Sequence, residues 1–247
     1  MTTSKVFASI IALGLGLGSL FSQSEDKKVE VSLRVAPILS MPSAKGESNF
    51  WDLEKGSPQL KFNGGLSADI FLQDNVALST GIWYTGKRSS FTVESQWLNA
   101  PDNKEVLSYN LNYLEVPLLF KGLTNNLNEK MRVYVNLGGV FGFKLSESFA
   151  GSDDEKPLQT YPEGEYLDQK YAGFFDASLL MGGGIELNIG TSNKVYLGGD
   201  YSLGLTNIIH KDFIGGLSQD PNATPIAKGT NYSVRNSYVA FVAGFKF

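Results

Sequence analysis

The residues able to do chemistry are few. His210 is the sole histidine, and the chain has no cysteine. That excludes thiol catalysis, disulfide scaffolds, cysteine-ligated zinc, iron–sulfur clusters and any site needing two histidines. A hydrolase needs a nucleophile, a base and an orienting group in mutual reach. His210, followed by Lys211 and Asp212, stands at a loop edge and reads as a polar loop residue. The densest carboxylates are Glu147, Asp153, Asp154, Glu155, Glu163, Glu165 and Asp168, set against Lys156 and Lys170. Clustered carboxylates can bind calcium, but EF-hand spacing is missing. A solvated acidic loop is the plainer reading. Gly182-Gly183-Gly184 precedes no helical pattern, so it is no phosphate loop. The residues assign no catalytic, cofactor-binding or metal site.

Composition narrows the classes further. The chain has 247 residues and a formal net charge of -4, and it contains no basic block. Nucleic acid is therefore a poor partner. Val6–Phe21 is free of charge, follows Lys5 and precedes the polar run Ser22–Lys28. A basic start, a short apolar stretch and small residues near a cut match a secretory leader. Residues 1–24 read as a signal peptide, with cleavage after Ser24 or, alternatively, after Ser22. Residues 25–247 are then one exported domain. Beyond the leader no apolar run is long enough for a membrane helix.

What positions the remaining charges is a period of two. Alternation runs through Val29–Leu39, Leu60–Leu72, Val76–Lys87, Val106–Lys121, Arg132–Ser146, Ala177–Ile189, Val195–Leu205 and Ser237–Phe247. In Arg132–Ser146, for example, Val133, Val135, Leu137, Phe141, Phe143 and Leu145 share one face. In Val106–Lys121 the phase is less clear. Leu114, Val116, Leu118 and Phe120 share one face while Tyr109, Leu111 and Tyr113 take the other, so a bulge is expected between them. These strands are about twice the ordinary ~5–6 residues and suit a tilted membrane span. The connections sort by parity. Ser40–Gln59, Arg88–Glu105, Glu147–Gly173 and Ile208–Asn236 are long. Gln73–Asn75, Gly122–Lys130 and Gly190–Lys194 are short or modest. Short turns on the side of both termini and long loops opposite are the outer-membrane pattern. The fold expected is all-β: an eight-stranded antiparallel up-and-down transmembrane β-barrel with short periplasmic turns and long external loops.

The polar face is rich in Gly, Ser and Asn and carries sparse, balanced charge. Arg34, Arg132, Lys144 and Lys246 share it with Glu30, Asp69, Glu186 and Asp200, and Glu115 joins them opposite Leu114 and Val116. Small groups and paired charges suit a crowded lumen, because a lone buried charge is prohibitive. Arg34, Glu115, Arg132, Glu186 and Asp200 are expected to form one lumenal network. The apolar face carries aromatics near strand ends, Tyr84, Phe120, Phe143, Phe245 and Phe247 among them, as interfacial girdles require. The alternative is a soluble lipocalin-like barrel, in which the apolar face points inward.

Three segments carry a resemblance. Asn112–Lys121, NYLEVPLLFK, looks like a strand of the PorT-like outer-membrane β-barrel proteins of the Bacteroidota. Tyr201–Ile208, YSLGLTNI, resembles that family's penultimate strand. Arg235–Phe247 resembles its closing strand. The resemblance implies an eight-stranded outer-membrane barrel, some relatives of which are linked to assembly of a gliding and protein-secretion system. Phe247, with Phe245, resembles the aromatic C-terminal signal read by the barrel-assembly machinery. The function expected is non-enzymatic, structural or interactive. Its partners would be outer-membrane lipid and an unknown protein met through external loops or periplasmic turns. The alternative is a narrow channel for small solutes. The chain should fractionate with outer membranes and change mobility on boiling in gel electrophoresis. Recovery in the soluble periplasm without a shift would overturn this reading.

Overall fold

A computed structural model describes residues 29–47, 51–95, 104–128, 130–149, 172–190, 193–208 and 233–247. The leader 1–24, residues 150–171 of the acidic loop, and His210 lie outside the described residues. The strands are β1 (Val29–Glu47), β2 (Trp51–Lys55), β3 (Gln59–Gln73), β4 (Val76–Ser95), β5 (Lys104–Leu123), β6 (Met131–Phe149), β7 (Phe175–Asn188), β8 (Lys194–Gly204) and β9 (Ser233–Lys246). From β3 to β9 each strand pairs antiparallel with the next. β1 pairs with both β3 and β9, so the sheet closes on itself.

β2 and β3 occupy one place in the wall. Both pair with β1 in a common register, and both pair with β4. Between them lie Gly56, Ser57 and Pro58. Pro58 has no N–H to give a ladder, and the Gly56 N–H donates to the Ser90 carbonyl at 2.9 Å. The wall therefore has eight strand positions in up-and-down order, as alternation implied. Through the band where all eight positions pair, closure leaves no edge, which is the condition for a sheet in lipid. No described helix is long and apolar enough to cross a membrane.

The faces fall as parity requires. Leu60, Phe120, Val135 and Phe241 are 74%, 64%, 60% and 74% exposed, on the outer face. Trp83, Leu119, Val140 and Leu180 are buried together inside. A soluble barrel would reverse these faces, so the lipocalin-like alternative falls. Phe141 stacks with Phe175 at 6.4 Å between ring centroids, and Phe143 packs on Phe174 and Phe175. This patch lies toward the loop end. Phe245 and Phe247 meet edge to face at 5.1 Å at the turn end.

Two details depart from expectation. Much of the long connections is strand: β1 runs on to Glu47, β4 to Ser95, and β5 starts at Lys104. There the apolar residues no longer keep to the lipid-facing parity, while the hydrogen-bond ladder continues. Nor does β5 bulge. Leu111, Tyr113 and Glu115 are all buried on one lumenal parity. The irregularity lies at the same level in β6, where Asn112 pairs with Ser146 and Tyr113 with Lys144, leaving Leu145 over. Leu111 and Tyr113 are apolar filling for the lumen, which the expectation of a purely polar inner face could not accommodate.

The face assignment is open to measurement. Leu137→Arg, on the lipid side, is expected to cost ~2–4 kcal/mol of folding stability near the midplane. Asn136→Ser, on the lumenal side, should cost far less. Urea titration of folding into lipid vesicles checks both, and equal effects would mean that the faces are reversed.

Candidate functional site

The lumen is the candidate site, because alternation delivers the charged side chains there. They form two hydrogen-bonded networks, one at the end carrying the termini and short turns, the other from mid-barrel toward the loop end. At the turn end Lys121 Nζ lies 2.8 Å from Asp69 Oδ2 and 2.7 Å from Glu186 Oε1. Lys246 Nζ lies 2.6 Å from each of the same two carboxylates and 3.2 Å from Glu30 Oε2. Lys194 closes on the other oxygen of Glu30. Three ammonium groups thus face three carboxylates, and the network is neutral.

The second network starts at Arg34. Its Nη1 lies 2.8 Å from Asp200 Oδ2, and its Nε donates to Asn63 Oδ1 at 2.9 Å. Its guanidinium sits 4.0 Å from the Trp83 ring centroid, a cation–π contact. Asn63 Nδ2 donates to Thr85 Oγ1, and that hydroxyl donates to Glu115 Oε2, each at 2.6 Å. Lys87 Nζ then lies 2.8 Å from Glu115 Oε1 and 2.8 Å from Asp176 Oδ2. Thr206 Oγ1 donates to Asp176 Oδ1 at 2.6 Å. Arg34 on β1 reaches Asp200 on β8 across β9, where the facing positions are small: Arg34 pairs with Gly244, and Asp200 with Ala240.

Glycine makes room for the aromatic walls of these networks. Tyr134 lies against Gly184 and Gly198, which face one another across β7 and β8. A Cβ on Gly198 would stand 2.3 Å from the Tyr134 hydroxyl oxygen and 2.5 Å from the Gly183 carbonyl oxygen. Tyr134 in turn meets Tyr196 edge to face at 6.2 Å, and Lys121 Nζ sits 4.6 Å from the Tyr134 ring centroid.

Of the five residues expected to form one network, Arg34 and Asp200 touch, and Glu115 joins them through Asn63 and Thr85. Glu186 belongs to the turn-end network. Arg132 is the correction. Its Nε donates to the Thr124 carbonyl at 3.1 Å and its Nη2 to the Asp74 carbonyl at 2.8 Å, so it ties two turns together outside both networks. Strand parity cannot see that a long side chain at a strand end can swing to turn carbonyls. Lys144, also on the polar face, pairs with Glu147 at 2.5 Å and with the Ala172 carbonyl at the loop end. The charged partners that sequence reasoning missed are Lys87, Lys121, Asp176 and Lys194. Carrying the parity of Trp83, Glu115, Ser178 and Tyr196 outward by a few positions would have found them.

A buried pair that loses one partner leaves an uncompensated charge, at ~3–5 kcal/mol. Arg34→Met and Asp200→Asn are each expected to destabilise by about that much, with the double variant recovering part of the loss. A double-mutant cycle in lipid vesicles measures it, and additive losses would mean that the two groups act alone.

Residues 21–210 match the family described as outer membrane protein beta-barrel domain. No curated protein matches the chain. Among solved structures, the outer membrane protein OprG of Pseudomonas aeruginosa is similar at 13% identity and TM-score 0.48, over 89% of this chain and 97% of that one. Ail, the attachment invasion locus protein of Yersinia pestis, is similar at 14% identity and TM-score 0.39, over 89% and 99%. The family match runs from ahead of β1 through the end of β8. It agrees with a closed wall that is apolar outside and charged inside, and the chain belongs to the outer membrane protein β-barrel domain family, seated in the outer membrane.

Proposed function

We propose that this protein is a sealed, non-enzymatic barrel of the PorT-like kind that acts by contact. It meets a protein partner through its external loops or periplasmic turns, in a structural role of the sort the PorT-like resemblance links to secretion-system assembly. The observation that carries this reading is the filled lumen. Two ion-pair networks cross it, and Trp83, Leu119, Val140 and Leu180, from four neighbouring strands, pack together inside it. Eight strands enclose a space that side chains can fill. A solute entering would have to separate charges in a medium of low dielectric, where each separation is expensive.

A second reading, a narrow channel, draws on polar atoms left without partners inside: Arg34 Nη2, Asp200 Oδ1, Glu186 Oε2 and Asn136 Oδ1. These give water, or a small solute, places to bind. Planar-bilayer conductance separates the two. The sealed reading expects near-silent wild-type protein and measurable conductance in Arg34→Met or Lys121→Met. Steady conductance in wild type would favour the channel. Crosslinking in outer-membrane fractions, followed by identification of captured proteins, tests the contact role directly.

Phe245 and Phe247 are proposed as the signal for the barrel-assembly machinery. The Phe247 N–H donates to the Val31 carbonyl at 3.0 Å, which seats the last residue at the β1–β9 closure. Removing Phe247 is expected to lower the yield of heat-modifiable barrel in outer membranes and leave refolding of the purified chain into detergent nearly unchanged. Equal loss in both settings would assign the residue to closure alone.

A further inference from the structure

We propose that the lumen at Lys87 is a binding site for one small monovalent cation, of the size and charge of potassium or ammonium. The turn-end network balances three ammonium groups against three carboxylates, and Arg34 balances Asp200. At Lys87 the balance fails. One ammonium serves two carboxylates, Glu115 and Asp176, and the side chains of all three are 1% exposed. Among the described residues no other cation pairs with either carboxylate. Among the described residues one negative charge is therefore buried without a counterion. Burial of that kind is strongly unfavourable unless something neutralises it.

The same place holds oxygen atoms with nothing to bind. Tyr113 and Tyr238 are fully buried, and neither hydroxyl has a hydrogen-bond partner. Their rings flank Lys87 Nζ, with centroids at 5.0 and 5.6 Å. Glu115 Oε1 lies 2.8 Å from Lys87 Nζ and has no further partner among the described residues. Asn236, two residues before Tyr238 on the same face of β9, is fully buried with both side-chain polar atoms unpartnered. A hard cation wants several oxygens, charged and neutral, around it. The Glu115 and Asp176 carboxylates and the hydroxyls of Tyr113 and Tyr238, on residues that all contact Lys87, are oxygens of that kind. A single surplus charge calls for a monovalent ion. Among the described residues no group of three or more metal-ligating side chains offers a divalent site.

The site stands apart from the sealed-lumen reading. Conductance decides that reading, and cation-dependent stability decides this one. The purified full chain is refolded into nanodiscs, and its unfolding in urea is followed in potassium chloride, ammonium chloride and choline chloride at equal ionic strength. Choline serves as the bulky cation that keeps the ionic strength unchanged. An ion that binds only the folded state stabilises it, so the folded-to-unfolded ratio of wild type should be about tenfold higher in potassium than in choline when the ion stands about ten times above its Kd. Glu115→Gln removes the surplus charge and keeps the Lys87–Asp176 pair. It should lose the difference between salts. Asp176→Asn makes the same test should the first variant fail to fold. With thallous ion as the potassium probe, wild type should give a bound thallium resonance that Glu115→Gln lacks. Wild type indifferent to the choice of cation, with no bound thallium, would overturn the proposal and assign the neutralising charge to a proton. A variant that keeps both the salt difference and the bound thallium would overturn it as well.

Discussion

Every N–H and C=O of a wall in lipid must find a partner within the wall, because the solvent offers none. The pairing of β1 with β9 meets that demand, and the other features of the molecule follow from it. Closure with strictly alternating side chains sends every second residue into a space only eight strands wide. Charges arrive there whether or not they are wanted in water-poor surroundings. They are tolerated because partners arrive from the next strand but one: Asp200 on β8 for Arg34 on β1, and Asp69 on β3 and Glu186 on β7 for Lys121 on β5.

The interior is neither a salt lattice nor an oily core. Tyr134 and Tyr196 stand between the ion pairs, and glycines on neighbouring strands are recessed to receive them. Aromatic rings bring volume without needing full solvation, and their faces attract the ammonium groups beside them. The apolar group of Trp83, Leu119, Val140 and Leu180 occupies positions whose parity a polar inner face would assign to serine or asparagine. The lumen mixes these chemistries because it must be filled as well as neutralised.

How much of this was legible depends on the range of the interaction. Period-two alternation is local, so the strands, their faces and the sorting of turns and loops could be read directly. Residues such as Leu137 and Asn136 fell on the correct sides. Pairing over an intervening strand is not local. It depends on the stagger of the strands, which places Lys121 beside Asp69 and Glu186, and nothing in the neighbourhood of Lys121 announces this. Arg132 misled for a related reason. Its parity is lumenal, but its reach lets it bind turn carbonyls instead. The far ends of β1, β4 and β5 escaped notice because the apolar residues there no longer keep to the lipid-facing parity.

Consider the glycines of β7 and β8 once more. Gly182, Gly183 and Gly184 lie beside Asp200, Gly199 and Gly198. Two strands so poor in side chains have little to fix their alignment. A slide of one position is opposed because it turns greasy residues inward. A slide of two is not, since each face keeps its character. Against that error apolar contacts are silent, and what opposes it must be particular. Asp200 meets Arg34, Glu186 meets Lys121 and Lys246, and the Ser202 hydroxyl donates to that of Ser178 at 2.9 Å. Displaced by two places, each of these would face a stranger. The buried charges therefore act as a reading frame, telling a nearly blank stretch of wall where along its neighbours it belongs.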